Sequence, residues 1–331
     1  MKEKPSRNLA LDLARVTEAA ALAAGRHMGR GDRKSGDQAA VDAMRLVLNT
    51  IDMDGIVIIG EGEKDEAPML YNGERLGKGI PPEVDIAVDP VDGTRLLAMG
   101  RTNSIATVAL ADRGSMFNPG PIVYMHKIAV GPEAKGHINI NASVTENIVA
   151  VARAKKADID DMTVIILDRE RHEGLIEEVR EAGARIRLIT DGDVAGALMT
   201  AWPESGIDML VGIGGTPEGV LAACALKCMG GEIQGRLYAR NDEETSLAKS
   251  QGYDLEAVLT IDDLVKSDDI FFSITGITDG ELVDGVKYYG EGARTHSLVM
   301  RARSGTVREI IATHRWDKLM TFSGIQYDRI G

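Results

Sequence analysis

The run Val84-Asp85-Ile86-Ala87-Val88 has the length and apolar character of a buried strand, and it stops on Asp89-Pro90-Val91-Asp92-Gly93-Thr94. A strand that ends in two carboxylates, a turn signal and a hydroxyl needs cover along its body and an open edge at its end. A second apolar run, 55–59, ends the same way on Gly60-Glu61-Gly62-Glu63. Glycines on both sides of Glu61 allow unusual dihedrals and a close backbone approach. Two strand ends that offer only oxygen donors suit a hard cation, Mg2+ or Mn2+. Taken singly, Asp89 and Asp92 are also ordinary turn formers. Glu63, Asp65 and Glu66 read as solvated acids of a loop.

With 331 residues the chain is long enough for two cores. The expected division is an N-terminal metal-binding α+β domain over 1–150 and a C-terminal α/β substrate-binding domain over 151–331. Thirty-eight basic against 51 acidic residues leave a formal charge of −13 with no long basic run, which argues against nucleic acid and anionic membranes as partners. An anionic substrate then has to be met by local arginines and bound cations. The N-terminus lacks the apolar stretch of a signal peptide, and no run reaches the length of a spanning helix, so a cytoplasmic protein is expected. The two cysteines, Cys224 and Cys228, fall four apart in an Ala/Leu-rich helical segment and read as core residues.

Apolar residues at helical spacing predict helices over 8–28 and from about Asp37 to Leu48, with Asp37 in the position of an N-cap. Strands are expected over 104–110 and 122–125. Beyond residue 150 strands and helices alternate: 163–167, 174–182, 185–189, 192–200, 209–213 and 218–229, followed by a polar surface excursion over 241–254 and a strand over 270–274. This alternation predicts an open α/β layer. Its three strand ends carry Asp168-Arg169-Glu170-Arg171-His172, Asp191-Gly192-Asp193 and Gly212-Ile213-Gly214-Gly215-Thr216-Pro217-Glu218. Open α/β sheets place ligand groups at such ends, and arginine suits phosphate. The glycine-rich stretch reads as a turn into a helix whose backbone N–H groups hold a phosphate or sugar, or as a plain tight turn with Glu218 at the positive helix end. It has neither the dinucleotide nor the Walker pattern. His172 has no partner pattern and is left as a surface or supporting residue.

The strings Gly60-Glu61-Gly62-Glu63, Asp89-Pro90-Val91-Asp92-Gly93-Thr94 and Gly214-Gly215-Thr216-Pro217-Glu218-Gly219 resemble the class II fructose-1,6-bisphosphatases. That family lies within the wider group of metal-dependent, often lithium-sensitive phosphatases that includes inositol monophosphatases. The Asp-Pro-x-Asp-Gly-Thr string belongs to the whole group, and Thr190-Asp191-Gly192-Asp193-Val194 is more specific to the family. The resemblance implies a two-domain sugar phosphatase fold, α/β with alternating helix and sheet layers. It also implies a phosphoric monoester hydrolase that removes the 1-phosphate of fructose 1,6-bisphosphate, as in gluconeogenesis. Implied metal ligands are Asp37, Glu61, Asp89, Asp92 and Glu218, with Mn2+ or Mg2+ as cofactor. Glu61, Asp89 and Thr94 are the implied catalytic residues. Implied sugar bisphosphate contacts are Asp92, Gly93, Thr94, Tyr124, Arg169, Glu170, Arg171, Asp191, Gly192, Asp193 and Gly215. Only the resemblance, not its own context, moves Asp37 into the site. Relatives are commonly dimers or tetramers, so a homo-oligomer is expected. Alternatives are a dual fructose-1,6-/sedoheptulose-1,7-bisphosphatase, an inositol phosphate phosphatase, or a non-catalytic sugar phosphate sensor.

Overall fold

The computed structural model describes residues 8–62, 69–321 and 323–327. Glu63, Asp65 and Glu66 lie outside them. The chain opens with two helices, α1 (Ala10–Ala24) and α2 (Arg33–Leu48), then β1 (Asp54–Ile59), β2 (Arg75–Leu76), β3 (Glu83–Asp92), a short α3 (Thr94–Ala98), β4 (Ile105–Asp112) and β5 (Tyr124–Val130). There follow α4 (Val144–Lys155), β6 (Thr163–Leu167), α5 (Glu173–Glu181), β7 (Arg185–Ile189), α6 (Asp193–Met199), β8 (Met209–Gly215), α7 (Thr216–Met229) and β9 (Glu232–Tyr238). The last part holds α8 (Asp242–Ser250), α9 (Ile261–Leu264), β10 (Phe271–Gly276), β11 (Lys287–Tyr289), β12 (Gly292–Arg301), β13 (Thr306–Arg315) and α10 (Trp316–Leu319).

Among the described residues the strands form an eight-stranded sheet, in the order β11-β12-β10-β4-β3-β1-β2 with β13 on β12, and a five-stranded sheet, β7-β6-β8-β5-β9. This is the expected layered α/β architecture. Alternation along each strand sets the layers. Ile86 and Val88 of β3 pack with α1 and α2, whereas Ala87 faces a second core shared with α6, α7 and the five-stranded sheet. Met125 and Ala129 of β5 join that second core, and Ile128 and Val130 point the other way, onto α4 and α5. The order is therefore helices, sheet, helices, sheet, helices. Cys224 and Cys228 are buried in the middle helical layer, as expected of core thiols, and burial pushes Cys224 up to about 12.

The second sheet is an open α/β layer only in part. Strand β6 runs parallel to β7 and β8, but β5 is antiparallel to both β8 and β9. Sheet membership also does not follow the sequence halves. Strand β5 sits in the middle of the five-stranded sheet, and β10 to β13 complete the eight-stranded one. Two further expectations change near the site. Helix α2 starts at Arg33, because Asp32 is its cap: its carboxylate accepts from the backbone N–H of Lys34 and Ser35 at 2.9 and 3.2 Å. Asp37 is thereby released from capping and lies one turn inside. Strand β3 runs on through Asp92 with an irregular register between Asp89 and Asp92, so the turn falls at Gly93, at φ 90° and ψ 47°. The polar stretch after Asn241 is the expected surface excursion, and part of it is helical, with Asn241 capping α8.

Glu18 of α1 lies half-buried in an apolar recess with Leu22, Leu46, Val47, Leu319 and Tyr327. Burial pushes its carboxyl up to about 7, partly offset by Arg15. Because the folded value exceeds the ordinary one, stability is lost as pH rises from about 4.5 to about 7, and the loss is complete above 7. Glu18→Gln is expected to stabilise by about 3 kcal/mol at pH 8 and hardly at all at pH 4. Melting curves at the two pH values check this, and equal shifts at both would refute it.

Candidate active site

Five strand ends meet where the two sheets face one another. From the eight-stranded sheet, β1 delivers Glu61 and β3 delivers Asp89 and Asp92, while α2 turns Asp37 toward them. From the five-stranded sheet, β7 is followed by Asp191 and Asp193, β8 by Glu218, and β6 by Arg169 and Arg171. Strand β5 starts beside β8, with Tyr124 paired to Gly215.

A cavity of about 320 Å³ is lined by Asp37, Glu61, Asp89, Asp92, Asp191, Asp193 and Glu218, together with Gly93 and Thr94. An adjoining one of about 360 Å³ is lined by Tyr124, Arg169, Arg171, Gly215 and Arg240, and shares Asp191, Asp193, Pro217 and Glu218 with the first. The acid pocket and the arginine pocket thus open onto common residues. Thr94 is the first residue of α3, with the left-handed Gly93 before it. Asp191 accepts from the backbone N–H of Arg95 at 3.1 Å, which ties the turn after β7 to the start of that helix. Asp92 accepts from Ala195 N–H at 3.0 Å, and Asp89 from Val91 N–H at 3.1 Å.

The acids are held against their own charge. Burial, then Asp37 and Glu218, raise Glu61 to about 7, and burial, then Asp193, raise Glu218 to about 7 against the partial relief of Lys127. Asp89 is driven well above the carboxylate range by burial and then by Asp92, Glu218, Glu61 and Asp37. Asp92 is driven up by burial and then by Asp193. Burial also raises Asp37. Among the described residues no three acidic, histidine or cysteine side chains already stand close enough together to hold a metal ion. The carboxylates ring the pocket instead. Concentrated, desolvated oxygen donors whose charge Lys127 offsets only in part fit hard divalent cations, which supply the missing charge.

Two of the expected contacts are not brought in. Glu170 is exposed and lines neither cavity, and Gly192 faces a neighbouring one through its role as the left-handed residue before α6. His172 is buried rather than on the surface. Its Nδ1 lies 2.7 Å from Leu167 O, and its Nε2 accepts from Ile213 N–H at 2.8 Å, so it pins the end of β6 to β8. Arg171 completes that join by donating to Ile213 O at 3.2 and 2.7 Å. The glycine-rich stretch is not a turn. Gly212, Gly214 and Gly215 belong to β8, and α7 follows directly at Thr216.

Two residues escaped the sequence reading. The Arg240 guanidinium stands 5.4 Å from the Tyr124 ring centre, as does that of Arg171, so the tyrosine is flanked by two cations. It was hidden at the edge of a polar stretch that resembled plain surface. Lys127 is 2% exposed, and its Nζ lies 2.6 Å from Asp193 Oδ2. The available signal was an ionisable side chain inside the strand Tyr124-Met125-His126-Lys127-Ile128-Ala129-Val130.

Residues 7–314 match the family described as bacterial fructose-1,6-bisphosphatase, glpX-encoded. The fructose-1,6-bisphosphatase 1 class 2 of Escherichia coli K12 is 44% identical across 94% of this chain and 96% of its own length. The class 2 fructose-1,6-bisphosphatases of Escherichia coli O6:H1 and Shigella flexneri match to the same extent. The strand ends that carry Glu61, Asp89, Asp92, Arg171, Asp193 and Glu218 all fall within the matched span, and the chain belongs to the bacterial class 2 fructose-1,6-bisphosphatase family.

Proposed function

We propose that this chain hydrolyses the 1-phosphate of fructose 1,6-bisphosphate, giving fructose 6-phosphate and phosphate, in a site that uses Mg2+ or Mn2+. The observation that carries the reading is the shared wall of the two cavities: Asp191, Asp193, Pro217 and Glu218 line both, so a bisphosphate can reach from the acids to the arginines. Asp37, Glu61, Asp89, Asp92 and Glu218 are the residues to hold the cations. When bound, such ions polarise phosphoryl oxygens and acidify water. Thr94, at the start of α3, orients the attacking water in line with the leaving sugar oxygen, and a neighbouring carboxylate takes its proton. Gly93 lets the backbone turn close beneath it. Asp191 and Asp193 accept sugar hydroxyls, while Arg169, Arg171 and Tyr124 hold the phosphate that is kept. Arg240 joins them by its place on the tyrosine ring. Positioning and charge supply most of the acceleration expected for phosphoryl transfer.

The metal lobe and substrate lobe are part of this proposal, drawn by sheet rather than at residue 150. A place among the lithium-sensitive phosphatases rests on the Asp-Pro-x-Asp-Gly-Thr string. Self-association rests on the family resemblance, and a cytoplasmic setting is supported by two unpaired buried thiols. Among the described residues no helix is long and apolar enough to cross a membrane.

The test is phosphate release by chelator-treated protein with Mg2+ or Mn2+ added back, with sedoheptulose 1,7-bisphosphate and inositol 1-phosphate alongside. Metal-restored turnover of fructose 1,6-bisphosphate is expected, and silence with metal present refutes the reading. Arg171→Ala and Arg240→Ala are each expected to raise KM about 10-fold or more with a smaller change in kcat, since a charge-assisted phosphate contact contributes about 1.5 to 3 kcal/mol. An unchanged KM in both would move the phosphate pocket elsewhere.

A further inference from the structure

We propose that Lys127 is a resident cation of the active site: its ammonium fixes Asp193 for the sugar and sets how strongly the remaining acids attract divalent ions. The inference rests on the site reading above and concerns a residue outside the expected ligand set.

Strand β5 presents Lys127 on the face that carries Met125 and Ala129, in the core between the two sheets. An ammonium group there loses its hydration and persists only where charge and hydrogen bonds replace it. Both are present. Its Nζ is 2.6 Å from Asp193 Oδ2 and donates to Gly215 O at 3.0 Å. Room for the pair comes from Gly214, where a Cβ would stand 2.1 Å from Asp193 Oδ2 and 2.9 Å from Lys127 Cε. Gly215, whose carbonyl Lys127 holds, precedes the helix that bears Glu218. One side chain therefore fixes the carboxylate offered to the sugar and the end of the strand that launches a proposed metal ligand.

Seven carboxylates line the acid pocket. Lys127 neutralises one of them, Asp193, by pairing with its Oδ2 and holding it in place for the sugar. The other six are left to the divalent ions and the substrate, and the field they see is weaker by one positive charge. Removing that charge must raise the attraction for a divalent ion even while it disorders Asp193. A residue that served packing alone would have the opposite signature, since loosening the site lowers metal affinity.

The experiment is Mn2+ binding to chelator-treated full-length protein, read by calorimetry, together with fructose 1,6-bisphosphate kinetics. Lys127→Met is expected to bind Mn2+ at least ~10-fold more tightly, with raised KM and lowered kcat that added Mn2+ does not restore. Asp193→Asn leaves the ammonium unpaired beside Glu218 and is expected to weaken Mn2+ binding by ~10-fold. The double variant Lys127→Met/Asp193→Asn has the wild-type net charge and is expected to regain near wild-type affinity. Should Lys127→Met fail to fold, Asp193→Asn against the double variant carries the test. Equal Mn2+ affinities in that pair, or a folded Lys127→Met that binds no tighter than wild type, overturns the inference alone. Wild-type protein that neither binds Mn2+ nor releases phosphate overturns the site reading and this inference with it.

Discussion

Asp89→Asn is expected to lower kcat for fructose 1,6-bisphosphate by at least ~10³-fold and, in chelator-treated protein, to leave the melting temperature unchanged or raise it. Asp89 accepts one hydrogen bond, from the Val91 N–H at 3.1 Å, which an asparagine oxygen can still accept. Everything else around it is adverse: burial and the charges of Asp92, Glu218, Glu61 and Asp37 all oppose its ionisation. A group so placed lowers the stability of the fold at neutral pH, and deleting its charge removes that cost. The same charge is what the proposed cations bind. Activity and metal-free stability should therefore move in opposite directions, the trade expected where a site is assembled against local electrostatics. Glu61→Gln should follow the same pattern, since Glu61 is likewise raised by burial and by Asp37 and Glu218. Phosphate release and thermal melts with chelator present read both sides. Wild-type turnover in Asp89→Asn, or a clear fall in its melting temperature, would remove this residue from the site.

Much of this was legible because it is encoded locally. Strands β6 and β7 fall where their apolar runs place them, at Thr163–Leu167 and Arg185–Ile189. The acids after β1 and β3 stand out because carboxylates interrupt such runs. Most of what stayed hidden was set by contacts distant in sequence, the cap of α2 being a local exception. The proximity of Asp32 to the true start of α2 decides that Asp37 is free, and capping preference alone cannot separate two aspartates five residues apart. Asp85 looks like part of the acidic set but is consumed by structure, accepting from Ser115 and Met116 N–H at 2.8 and 3.0 Å. Strand β5 was expected with the first half, yet its partners β8 and β9 lie far along the chain. Lys127 becomes meaningful only through Asp193, sixty-six positions later.

The glycines show the same limit and carry the second large effect. Gly215→Ala is expected to reduce kcat by ~10²-fold or more with a loss of less than about 1 kcal/mol in stability. Gly215 has φ −65° and ψ 141°, an extended conformation open to any residue, so the backbone does not require glycine. The side chain of Glu218 does. A Cβ at 215 would lie 1.7 Å from Glu218 Oε2 and 2.4 Å from its Cδ, and the carboxylate would have to swing out of the position that faces the acid pocket. Gly60 at the end of β1 gives the contrast. There an added Cβ would meet the backbone oxygen of Leu70 at 2.0 Å, and Leu70 O accepts the Glu61 N–H at 2.9 Å, so no side-chain movement relieves the clash. Gly60→Ala should thus cost stability and activity together, whereas Gly215→Ala should cost activity alone. Melting and turnover measured on both separate the two kinds of glycine. A fully active Gly215→Ala would mean that Glu218 does its work from a different rotamer, or that it is not a ligand.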